Sequence, residues 1–171
     1  MLSSRGDTAD NAGDADNAGD ADNADDAGDA EQFQGPPSPE EARQWRKAAL
    51  DGNVDAMCNL GRLCYEDGQL TGSDSAERWW TAGAKRSDPD CMLNLGLLRY
   101  EQERVLGLDS AESWWRRAAE GGHPEAMCNL GVLRLSQGKT DGADSARSWW
   151  QAAADIGDED SAHNLALLDE S

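Results

Sequence analysis

From Ala76 onward, small or apolar residues fall at Ala76, Trp79, Trp80, Gly83 and Ala84, with Glu77, Arg78, Thr81 and Lys85 between them. That interval marks one face of an amphipathic helix. A second pattern accompanies it: Ala56, Leu60 and Leu63 share one side, while Cys58, Gly61 and Tyr65 share another. A helix apolar on two sides is flanked by two neighbours, and only the strip of Asn59, Arg62 and Glu66 remains for solvent.

Both patterns recur without insertion. Trp45, Trp80, Trp115 and Trp150 stand 35 residues apart, as do Leu60, Leu95, Leu130 and Leu165, and Ala49, Ala84, Ala119 and Ala154. Gly72, Gly107 and Gly142 mark the same turn in three copies. Such a period is the signature of a solenoid, in which each unit buries its apolar face only against its neighbours. The small residues of the tryptophan helix let a neighbouring backbone approach, and the indoles fill the wedge left between helices. A tryptophan pair also stacks sugars or bases, but the small-residue stripe beside it favours the core.

Helix starts are written into the chain. "SPEE" at Ser38 combines a serine cap, a proline at the first helical position and Glu41 to return a bond to the cap, so the ordered chain begins near Ser38. Pro89 and Pro124 take the first helical position after Asp88 and His123. "DSAE" at Asp74 and Asp109 reads as an aspartate cap answered by Glu77 and Glu112, whereas "DSAR" at Asp144 keeps the cap and loses the answer.

Charge divides the chain in two. The net charge is −19, and residues 1–35 hold nine Asp and one Glu against a single Arg. This segment is built on the hexad "DNAGDA", at Asp10 and Asp16, degenerating to "DNADDA" at Asp22. With almost no bulky apolar side chain it cannot offset a backbone ordering cost of roughly 1–2 kcal/mol per residue. Residues 1–37 are therefore read as a disordered acidic arm and residues 38–171 as the solenoid. Spaced aspartates hold calcium weakly or attract a basic partner; a solubilising tail is the plainer reading. "MLSSRGDTAD" has no apolar core and no apolar run of about 18 residues occurs, so a cytoplasmic protein without membrane insertion is expected.

The phrase "AESWWRRAAEGGHPEAMCNLGVL" from Ala111, with its counterparts from Ala76 and Ala146, resembles the Sel-one-like repeat, a helix-turn-helix unit related to tetratricopeptide repeats. The likeness spans about residues 42–168 in four registers. It implies an all-α, right-handed α-α superhelix that serves as an adaptor or scaffold for protein partners and is not an enzyme. Two departures stand out. Trp80, Trp115 and Trp150 occupy a place where tyrosine is more usual, and the last copy is cut short at "NLALLDES". Because a solenoid end exposes an apolar face, self-association or docking at the C-terminal end is the alternative reading, that of a structural or regulatory subunit.

Candidate chemistry is sparse. His123 and His163 have no nucleophile or metal partner at motif spacing. Cys58, Cys64, Cys91 and Cys128 contain no C-x-x-C and read as small buried residues in a reducing compartment. The resemblance adds that some family members staple each repeat with a disulfide, but the required cysteines do not recur here. No cofactor, metal or nucleic-acid site is expected, since the glycines form no phosphate loop and basic residues are scattered. What remains is a row: Asn59, Asn94, Asn129 and Asn164, with Arg62, Leu97, Val132 and Leu167 beside them. Evenly stepped carboxamides suit the backbone of an extended protein or peptide partner, and the apolar positions suit its side chains. The competing reading is that each Asn bonds within the scaffold.

Overall fold

The computed structural model describes residues 37–170, so apart from Pro37 the acidic arm lies outside the described residues. Among them are eight helices and no strand: α1 (Pro39–Leu50), α2 (Val54–Glu66), α3 (Ala76–Ala84), α4 (Pro89–Glu101), α5 (Ala111–Glu120), α6 (Pro124–Ser136), α7 (Ala146–Ala154) and α8 (Glu159–Asp169). Each packs against the helix before and after it, and α2 also touches α4. Odd-numbered helices carry the tryptophans and even-numbered helices the Asn-Leu segment, giving the all-helical repeat solenoid that the periodicity implied.

The Ser38 capping box forms as read, with the Glu41 amide donating to Ser38 Oγ at 3.2 Å and the Ser38 amide to Glu41 Oε2 at 2.7 Å. The tryptophan helices start differently from expectation. Their caps are Ser75, Ser110 and Ser145, not Asp74, Asp109 and Asp144. The reciprocal bonds come from Ser113 and Ser148, not from Glu112, so the copy expected to lack one has it. The reason lies in the donor count. Each serine hydroxyl also donates to the carbonyl of Gly72, Gly107 or Gly142, at 3.0, 2.8 and 2.8 Å, which an ionised carboxylate cannot do. Those glycines sit at φ of 120, 120 and 115°, a conformation that turns the chain back toward the cap.

The core is a sequence of tryptophans seated in glycine notches. Trp80, Trp115 and Trp150 are 3, 4 and 3% exposed. A Cβ on Gly61, Gly96 or Gly131 would lie 2.2, 2.3 and 2.3 Å from the respective indole Nε1, so the preceding helix needs glycine there. The doublet divides its labour. Its second tryptophan is buried in every copy, while the first is buried at Trp79 and only partly buried at Trp114 and Trp149. In α8 the notch position holds Ala166, and Ser161 is the helix's only buried residue.

Candidate partner-binding surface

The aspartates released from capping clamp neighbouring helices together. Trp79, Trp114 and Trp149 donate their indole N–H to Asp74, Asp109 and Asp144 at 2.8, 2.7 and 2.8 Å. Arg99, its side chain 4% exposed, reaches Asp109 at 3.1 Å and Glu77 at 2.6 Å. Arg134, 1% exposed, likewise reaches Asp144 at 2.9 Å and Glu112 at 2.6 Å. Glu77–Arg99 and Glu112–Arg134 are the same repeat positions, and the next pair, Arg147–Asp169, carries the opposite polarity. Partial burial pushes the Asp109 carboxyl up, but bonds from Arg99, Trp114 and Arg104 outweigh it and bring the pKa down to about 2. Asp144 is lowered further by the same balance, with Arg134 and Trp149 opposing burial.

These ion pairs hold α4 and α6 against their neighbours, and one strip of the even-numbered helices stays bare. Along it, Arg62 is exposed, and Leu97, Val132 and Leu167 are exposed by 36, 50 and 52%. The asparagines beside them are half-buried. Asn94 donates to the Asp90 carbonyl one turn back at 2.9 Å, and Asn164 to Cys128 Sγ at 3.7 Å. Asn129 is different: its Nδ2 is buried without a hydrogen-bond partner. Two further side chains belong to the surface that sequence reasoning passed over, Tyr100 at 53% and Leu135 at 44% exposure. Tyr65, at the same register, is half-buried, bonded to Glu101 and tilted against Trp80. Tyr100 is tilted against Trp115 in the same way while staying more exposed, and Leu135 carries no ring at that place.

His123 caps α6 through Nδ1, which accepts from Ala126 at 3.4 Å, so its proton lies on Nε2, 2.9 Å from Asp90 Oδ1. The cysteines depart from expectation. Cys58 and Cys91 are joined as a disulfide between α2 and α4, while Cys64 and Cys128 are free. Comparing Cys58 with Cys128, two repeats away, hid the fact that position 58 faces position 91 in the next unit. Burial pushes both free thiols up, away from thiolate chemistry.

The Sel1 repeat family model matches residues 28–53, 54–88, 89–123 and 124–158. The chain belongs to the Sel1 repeat family. Each full Sel1 unit runs from an even-numbered helix to the tryptophan helix after it, so the glycine notch and its indole lie within one unit. Sel1 repeat proteins are generally non-catalytic scaffolds for protein–protein interaction. Among solved structures, a Sel1 repeat protein from Oxalobacter formigenes is 28% identical with a TM-score of 0.60; the match covers 74% of this chain and 53% of that one. The protein c5321, a protective antigen present in uropathogenic Escherichia coli strains and displaying the same repeat fold, is 22% identical with a TM-score of 0.61, over 75% of this chain and 28% of that one. This chain thus spans about half the length of the first and just over a quarter of the second. The sequence has no significant match among curated proteins. Among the described residues, no helix is long and apolar enough to cross a membrane.

Proposed function

We propose that this Sel1 repeat protein is an adaptor that holds a segment of a protein partner along the even-numbered helices, on Arg62, Leu97, Val132 and Leu167 with Tyr100 and Leu135. The carrying observation is the regular exposure of large apolar side chains at 36 to 53% on successive even-numbered helices. Large apolar side chains left exposed at a repeated position on a highly charged protein favour an interaction site. Asn59, Asn94, Asn129 and Asn164 border it as half-buried side chains.

Peptides selected from a display library against the wild-type chain test this reading. Leu97→Glu/Val132→Glu, at exposed positions, should leave the melting temperature within about 2 °C and abolish binding of those peptides. Peptides that bind the variant as well as the wild type would move the site elsewhere.

A second reading has its own observation: α8 buries only Ser161, which leaves its outer face to another occupant. Light scattering separates the readings, because a concentration-dependent oligomer favours docking at α8 and a monomer favours the adaptor.

A further inference from the structure

We propose that Cys58, Asp88 and Cys91 form a binding site for a thiophilic divalent cation of the zinc type when the two cysteines are reduced. One ligand atom from each residue lies within 4.8 Å of the others, and Asp88 Oδ1 stands 3.1 Å from Cys58 Sγ. Two thiolates and a carboxylate make a ligand set that zinc accepts, with water as the fourth ligand.

The repeat itself shows that this cluster is built rather than incidental. The position of Cys91 is held elsewhere by Ala56, Ala126 and Ser161, and the residue facing it, Gly83, is elsewhere Ala48, Ala118 and Ala153. A Cβ on Gly83 would lie 2.2 Å from Cys91 Sγ. The larger residue therefore occurs only where its neighbour has shrunk to glycine, a coordinated change confined to this unit. The facing position is equally selective. Cys58 is replaced by Leu93 opposite Ala126, and by Cys128 opposite Ser161, so only α2 and α4 bring two thiols and a capping carboxylate together.

Electrostatics and access point the same way. No lysine or arginine is paired with Asp88 among the described residues; Asp90 and Asp55 are the carboxylates that act on it, with His123 nearby. Cys91 is fully buried, whereas Cys58 and Asp88 are half-buried and give the cluster an opening to solvent. The disulfide and the cation complex are alternative states. A small-molecule thiol reductant opens the disulfide by exchange, leaving two protein thiols and its own disulfide. Binding then displaces one proton from each thiol, forming two metal–sulfur bonds and releasing two protons per cation. Cα atoms 5.5 Å apart let the sulfurs separate to metal-bridging distance by side-chain rotation alone.

Cobalt(II) titrated into the full chain, reduced with a phosphine that is then removed anaerobically, tests the proposal. The expected result is a thiolate-to-cobalt charge-transfer absorption that saturates at one equivalent, is bleached by zinc(II), and is lost in both Cys58→Ser and Cys91→Ser. Asp88→Asn should keep the band and bind more weakly. Ser161 occupies the Cys91 position in α8, so Cys91→Ser is compatible with the fold. Carboxylates of the acidic arm give no such band and cannot imitate it. Absence of the band in the reduced wild type, or its survival in either serine variant, would overturn the proposal.

Discussion

Gly96 and Trp115 compete for one volume: a Cβ on Gly96 would lie 2.3 Å from the indole nitrogen. The same relation joins Gly61 to Trp80 and Gly131 to Trp150, so the stacking distance between successive helices rests on three notches. Gly96→Ala raises helix propensity by roughly 1 kcal/mol but forces an overpacked contact that typically costs about 1–3 kcal/mol. Net destabilisation in urea unfolding is expected, with part of it recovered in Gly96→Ala/Trp115→Leu. An unchanged midpoint for the single variant would mean that the helices simply slide apart.

Arg99 and Asp109 make an asymmetric pair. Asp109→Ala removes a partner from a nearly buried guanidinium and also strands the Trp114 indole N–H. A loss of about 3 kcal/mol is expected. Arg99→Met fills the same space with an apolar chain and leaves Glu77 and Asp109 with partial access to water, at 34 and 44% side-chain exposure. Its cost should be under about 1.5 kcal/mol. Equal losses from the two variants, measured by chemical denaturation, would contradict this account.

Acid should loosen the solenoid in a defined window. The folded-state pKa of Asp109 lies at about 2, below its ordinary 3.8, so the carboxylate's contribution is complete above roughly pH 4 and is lost as pH falls through about 2. Asp144 and Glu112 are shifted in the same direction and add to the same trend. The melting temperature followed by circular dichroism should hold from pH 7 to 5 and fall below pH 4. Asp109→Asn should melt lower at neutral pH and show a shallower acid decline.

The asparagines of the candidate surface can be ranked individually. Asn94→Ala removes a bond to its own helix and should cost about 0.5–1.5 kcal/mol without affecting partner binding. Asn129→Ala removes an unpaired buried donor and should be close to neutral both for stability and for binding of a selected peptide. Weakened binding in either variant would bring the carboxamides into the surface beside the apolar residues.

The helices and the exposed row were largely legible in the sequence because both depend on local periodicity. Leu97, Val132 and Leu167 emerge from their spacing within one helix and are exposed where that spacing places them. Tyr100 and Leu135 were missed because Tyr65 and Tyr100 of their register pack on Trp80 and Trp115, which makes the position look internal although Tyr100 stays 53% exposed.

By itself the sequence determined the repeat period and the alternation of tryptophan and Asn-Leu helices, since a fixed 35-residue interval imposes the same local hydrogen bonding on every copy. Only the tertiary structure decided that serine and not aspartate caps the tryptophan helices, that Asp109 and Asp144 clamp buried arginines, and that Cys58 meets Cys91. Each of these depends on the angle and separation between helices. The competition among nearby donors and acceptors is settled by which hydroxyl or carboxylate reaches a partner there, and linear spacing does not contain that distance.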